Sequence, residues 1–342
     1  MSRIARIKNT PDQPGFYHVI CRTAGKQFLF EDDAEKHRLL LWLDKAVEFC
    51  GVELLSWCLM SNHIHLLVKV PPRQIVTDTE LDRRMRILYL PKRYNAIMET
   101  WSGWQRMDGN NRRVEDAKGK LRRRMYDISW FMKTFKQAAA QDYNARHGYS
   151  GSIWGGSRFK SVYLEGSIKV LLAVAAYIHL NPVRAKMVDA AEKYAWSSWG
   201  EASAGPGRSR SGLLHLYIGI AATHQVTWAF LKSQLEDIQI RITAHRIALD
   251  DLNESRAASG KNDTEVLPLP QKLATRAAEF SSSLALGAAD FIRRVTARPT
   301  PQTSPHRPHR KLMRVMMTDG VTLCTLGTRS LGRSPVAYTK AT

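Results

Sequence analysis

VELLSWCLMSNHIHLLVKV, residues Val52 to Val70, holds two runs of β-branched, aromatic and aliphatic residues on either side of the polar pair Ser61-Asn62. Two such runs joined by a two-residue polar turn predict a β-hairpin, and Pro71-Pro72 stops it because proline cannot donate to a strand ladder. Side chains alternate across a strand, so His63 and His65 point to one face of the second strand. Upstream, Gly15 to Thr23 (GFYHVICRT) follows a Pro14-Gly15 turn signal and reads as a further strand. Between the two lies a helix. Glu31-Asp32-Asp33 suits its start, and Leu39, Leu40, Leu43, Val47 and Cys50 recur at helical spacing up to Gly51.

Downstream, Arg73 to Arg124 has weak periodicity, a turn signal at Asp108-Gly109 and a basic run from Lys118 through Arg122, Arg123 and Arg124. It reads as an insertion, at about 73–127, partly helical and solvated. Asp127 or Ser129 can then cap a helix carrying Trp130, Phe131, Thr134, Phe135, Ala138 and Tyr143 to near Gly148. The stretch Ile153 to Val162 (IWGGSRFKSV) reads as a Gly-Gly bend feeding a short strand, and Gly166-Ser167 opens a helix that runs to about Leu180. That helix stops near Asn181-Pro182, since proline disfavours helical geometry in the residue before it. Composition makes 201–212 (around ASAGPGRSRS) a linker and 213–342 a separate region, mostly helical or disordered, with a basic proline-rich segment from Arg298 to Lys311.

The 342 residues, 44% of them hydrophobic, suffice for at least one sizeable core and about two domains. Lys and Arg outnumber Asp and Glu by 51 to 31, a formal net charge of +20, which favours a polyanionic partner, nucleic acid first. The four cysteines, Cys21, Cys50, Cys58 and Cys324, lack the close spacing of a zinc knuckle or redox pair and fit a reducing, cytoplasmic compartment. The amino terminus is positively charged without a following apolar core, so no signal peptide is expected. The longest apolar stretch, Val170 to Ile178, is too short to span a bilayer, and no membrane role is expected. No G-x-x-x-x-G-K-[ST] loop occurs, so no nucleotide cofactor is expected.

Taken one by one, the candidate chemical groups leave alternatives open. His63 and His65 can share a divalent ion or form an ordinary packed pair. Tyr177 and Asn181, spaced i, i+4, share a helix face. A phenol and an amide oxygen there can serve as nucleophile and ligand to a hard cation, or simply as a packed ring and a turn former.

Three motifs in order close those alternatives: SWCLMSNHIHLLV (Ser56–Val68), SIWGGSRFKSVYLE (Ser152–Glu165) and AAYIHLNPVRAKMV (Ala175–Val188), followed by YAWSSW (Tyr194–Trp199). Together, over roughly Gly15 to Gly200, they resemble the REP-associated tyrosine transposases, a branch of the HUH single-strand transposase superfamily. The resemblance implies an α+β, ferredoxin-like catalytic domain over 1–200, an antiparallel sheet with helices on one face. It implies a divalent metal, Mg²⁺ or Mn²⁺, held by His63 and His65 with Asn181 as third ligand, and Tyr177 as nucleophile. The implied reaction is cleavage and strand transfer of single-stranded hairpin DNA, as in palindromic repeats, through a 5′-phosphotyrosine. Localisation would be cytoplasmic and nucleoid-associated, with monomer and homodimer both open.

Arg158, Lys160 and the run Arg122, Arg123, Arg124 are candidates for phosphate contacts, and Trp154 for stacking on an unpaired base. Tyr163 competes with Tyr177 as nucleophile, and His179 is expected to point off the Tyr177–Asn181 face. Lys186 stands where relatives commonly have glycine. Two other readings stay in play: a catalytically silent nucleic-acid-binding regulator with the same fold, and a histidine-based metal hydrolase that does not use Tyr177.

Overall fold

In the computed structural model, which describes residues 6–108, 111–156, 159–216, 227–240, 243, 285–297, 311–318 and 321–327, the hairpin forms where its polar pair places the turn. Strand β1 spans Gly15–Arg22, helix α1 Asp33–Cys50, β2 Glu53–Met60 and β3 His63–Val70. Helix α1 starts where the Asp32 side chain accepts from the Ala34 amide at 2.8 Å. It ends at Gly51, whose φ of +64° is the left-handed geometry that glycine adopts without strain. Strand β3 is central, antiparallel to β2 (His65 opposite Cys58) and to β1 (His65 opposite Ile20, His63 opposite Arg22).

The insertion folds as three helices, α2 (Asp78–Leu88), α3 (Pro91–Asp108) and α4 (Arg112–Arg122). It is less solvated than its weak periodicity predicts, because α2 buries Leu81, Met85 and Leu88 in the main core. Helix α5 (Ile128–His147) is capped by Asp127, which accepts from the Ser129 and Trp130 amides. Next come β4 (Lys160–Leu164), antiparallel to β1, then α6 (Ile168–His179) and the single turn α7 (Asn181–Arg184).

Helices cover both faces of the sheet, where the sequence reading placed them on one. Tyr17, Val19, Trp57, Leu59, Ile64, Leu66 and Val68 pack on one side with Leu43, Phe49, Phe131 and Phe135 from α1 and α5. On the other side Leu55, Cys58, Leu67, Val162 and Leu164 pack with α6 and Trp199. The cause is in the strands: β3 is apolar at alternate positions on one face, while Leu67 on the other face also needs cover. Each large side chain buried in these layers contributes about 1.5–3 kcal/mol.

Residues 201–212, a linker by composition, are folded into α8 (Ser198–Ala204) and α9 (Arg208–Leu214). Small residues there serve close packing instead of flexibility. A Cβ on Gly212 would lie 2.6 Å from the Leu54 carbonyl oxygen, and Ser209 Oγ accepts from Trp57 Nε1 at 3.1 Å. Gly200 is tighter still, since a Cβ would meet the Tyr194 carbonyl oxygen at 2.1 Å. Gly200→Ala is therefore expected to cost at least about 2 kcal/mol, read as a lowered urea midpoint. An unchanged midpoint would show that this turn can yield.

In the carboxy-terminal region the described residues include the expected helical pieces, at 228–240 and Ala289–Ala297. They also include three strands, β5 (Ala285–Gly287), β6 (Lys311–Thr318) and β7 (Val321–Gly327), which extend the sheet to the order β2-β3-β1-β4-β5-β7-β6. Strand β5 runs parallel to β4, while β6 and β7 pair antiparallel, flanking the sequence Asp319-Gly320. Asp-Gly between β-forming runs is a hairpin signal that the neighbouring basic, proline-rich stretch obscured. Among the described residues no helix is long and apolar enough to cross a membrane.

Candidate active site

Alternation along β3 sends Ile64, Leu66 and Val68 to the α1–α5 side and leaves His63, His65 and Leu67 facing α6. On β1 the same alternation adds His18 to that face. The His63 and His65 rings lie 5.1 Å apart, and His18 Nε2 is 3.0 Å from His65 Nδ1, with both of those residues buried. His63 Nδ1 lies 2.6 Å from Asn62 Oδ1. An amide oxygen only accepts, so His63 donates there from Nδ1.

Tyr177, on α6, meets this group from above. Its ring stands edge-on to His18 at 5.7 Å and to His65 at 6.0 Å between centres, and the Arg184 guanidinium lies over it at 4.7 Å. The short α7 turn is what brings Arg184 back to the ring. Asn181 helps to make that turn, its amide nitrogen donating to the Tyr177 and Ile178 carbonyls at 3.1 and 3.2 Å and its Oδ1 lying on the other side of the amide.

Burial holds the His65 pKa well below the ordinary 6.5, helped by the nearby charges of His18, His63, Arg184 and Arg22. His65 is thus a neutral imidazole, the form that binds metal ions. Two imidazoles on one strand face and the amide oxygen of Asn181 are donor types that a divalent cation accepts. Among the described residues no group of three or more His, Cys, Asp or Glu is arranged to hold one, so no carboxylate ligand joins them. Arg22, opposite His63 across the β1–β3 pair, and Arg184, over the Tyr177 ring, add positive charge beside these groups.

The remaining candidates separate clearly. His179 turns away from Tyr177, as expected, with Nε2 2.9 Å from Ser56 Oγ and 3.2 Å from Ser198 Oγ and its ring stacked on Trp199. Burial pushes its pKa down to about 3. Tyr163 lies on the opposite face of the sheet, against Tyr17 and Phe291, which removes it as a nucleophile for this site. Trp154 does not offer a stacking surface. It is 3% exposed, packs on Phe30 and Phe135, and donates from Nε1 to the Lys136 carbonyl.

The basic run is largely committed within the protein. Arg122 pairs with Asp78 and donates to the Val76 carbonyl, while Arg124 donates to Tyr89 Oη and Thr134 Oγ1 and covers Phe49. Asp78, on another helix, pairs with both Lys118 and Arg122, which a local charge count does not register. Arg123 is exposed, and Lys160 is exposed at the start of β4 opposite Ile20, on the histidine face. Arg158 lies outside the described residues.

Sequence reasoning missed His18, Arg22 and Arg184. The available signal for His18 was a lone imidazole inside the apolar strand GFYHVICRT, in register with nothing until β1 pairs with β3.

Comparison with known proteins bears on this segment. The family model described as "Transposase IS200 like" matches residues 15–80. No curated protein matches the chain. A solved structure described as "Structure of the REP associates tyrosine transposase bound to a REP hairpin" is similar at 15% identity and a TM-score of 0.37, covering 60% of this chain and 86% of that one, too distant a likeness to transfer residue roles. The match at residues 15–80 takes in β1 to β3 with His18, His63 and His65, so this segment is similar to the IS200-like transposases, in agreement with the motif resemblance.

Proposed function

We propose that this protein cleaves and rejoins single-stranded hairpin DNA through a covalent phosphotyrosine at Tyr177. The observation that carries the reading is the convergence of Tyr177, His65 and Arg184 on one buried face: a nucleophile, a neutral ligand and a cation within ring-contact distance. The hairpin substrate follows from the ordered motifs, and the net charge of +20 supports a nucleic-acid backbone as partner.

In this reading Arg184 and Arg22 receive the scissile phosphate, and Lys160 contacts the backbone beside it. The Tyr177 oxygen attacks phosphorus as the bond to the 3′ oxygen breaks, with the phenolic proton passing to solvent and the departing 3′ oxygen taking one up as hydroxyl. One phosphodiester is exchanged for another, so the step reverses when another 3′ hydroxyl attacks. His63, His65 and Asn181 would hold a divalent cation, which when bound supplies Lewis-acid stabilisation of charge on the non-bridging phosphate oxygens. The chain's own part is to present His65 as a neutral imidazole and to hold the buried Tyr177 ring against it.

Incubation with hairpin-bearing single-stranded DNA and Mn²⁺ tests the proposal. A denaturing gel should show a protein–DNA adduct that retains the fragment 3′ of the cut and releases an upstream fragment ending in a 3′ hydroxyl. Salt-sensitive binding with no adduct under Mg²⁺ or Mn²⁺ would instead support the silent regulator.

A further inference from the structure

The two histidines on β3 are each tied at Nδ1. For His63 the tie is Asn62 Oδ1, a neighbour in sequence. For His65 it is His18 Nε2, a residue on another strand whose imidazole can either donate or accept. The direction of that bond decides what His65 can do. If His18 donates, His65 carries its proton on Nε2 and cannot ligate through that atom. If His65 donates, its Nε2 lone pair is left to ligate.

The geometry also decides whether an ion could sit between His18 and His65. Their ring planes differ by 18°, their centres are 5.3 Å apart and the facing nitrogens 3.0 Å apart. Such centre and nitrogen distances occur together only when the rings lie edge to edge with the nitrogens in line. Two imidazoles sharing one ion at that nitrogen separation would be bent towards it, and their centres would be closer. The contact is a direct N–H···N hydrogen bond.

We propose that His18 is a positioning residue, accepting a hydrogen bond from His65 Nδ1–H and so fixing the tautomer in which His65 Nε2 can bind a divalent cation. The inference rests on the reading of His63 and His65 as the metal pair. It gives the pair matched supports, an amide oxygen for one ring and an imidazole for the other, which set ring orientation as well as proton position. Tyr177 packs against both His18 and His65, so the same bond also fixes the wall on which its ring rests.

Two measurements on the full chain decide it. Long-range ¹⁵N–¹H NMR of the metal-free protein should show His65 protonated at Nδ1, and a proton on Nε2 overturns the proposal whatever the variants do. Mn²⁺ titration followed by electron paramagnetic resonance should show affinity weakened about ten- to a hundred-fold in His18→Leu. It should largely recover in His18→Gln, whose amide oxygen can accept the same bond. Loss in both variants, with circular dichroism unchanged, would make the ring itself necessary and overturn the acceptor role. Wild-type affinity in His18→Leu alongside loss in His65→Ala overturns the role of His18 while leaving the metal pair intact. Wild-type affinity in both His63→Ala and His65→Ala overturns the metal reading and this proposal with it.

Discussion

Tyr177→Phe is expected to abolish the protein–DNA adduct, a loss of roughly 10⁴-fold or more, while leaving the fold and DNA binding nearly unchanged. The substitution removes one oxygen and keeps the ring that contacts His18, His65 and the Arg184 guanidinium. Stability should therefore shift by less than about 1 kcal/mol, within the range of volume-conserving changes. Binding through backbone phosphates should keep its salt dependence, because no basic residue is touched. The experiment pairs a denaturing gel for the adduct with a native gel for binding. An adduct that persists in Tyr177→Phe would remove Tyr177 as the nucleophile, and cleavage without any adduct would point to hydrolysis at the same site.

The second large effect concerns stability and pH. His179 is fully buried, with its Nδ1 unpartnered and its pKa depressed to about 3 by burial, whereas in the unfolded chain it should titrate near 6.5. Below that pH the unfolded chain takes up a proton that the folded chain refuses. Stability is then complete above about pH 6.5 and falls as pH drops towards 3, by about 1.4 kcal/mol per pH unit for this one group. His65, also buried neutral, adds to the same trend.

Urea unfolding in EDTA at several pH values between 4 and 7, on wild type and His179→Gln, isolates the contribution. The glutamine can still bond to Ser56 and Ser198 but cannot titrate. The variant should lose about one proton's worth of slope, about 3 kcal/mol across that range. Parallel curves would show that His179 takes up its proton alike in the folded and unfolded protein.

How much of this was legible in the sequence depends on how local each feature is. The His63–His65 pair and its facing follow from strand alternation, and Tyr177 with Asn181 from helix spacing, so both were visible in short windows. His18 was not, because only the pairing of β1 with β3 brings it beside His65, and register is a tertiary property. Trp154 is a core residue, the alternative that a large aromatic ring always carries beside a stacking role. Charge counting overstated Arg122 and Arg124, since their partners Asp78, Tyr89 and Thr134 lie on other elements. The Ala202–Ser211 stretch failed as a linker because glycine and serine permit close backbone contact as readily as they permit freedom.

Helix α6 has one further consequence. Every residue from Val170 to His179 is buried, on the sheet side and on the side covered by Trp199, Leu213 and Leu231 alike. In the proposed reading, a helix buried on all sides holds a strand end attached to Tyr177 where it was captured, any exchange of ends falls to the DNA, and the spacing between cut and hairpin becomes a ruler set by the sheet.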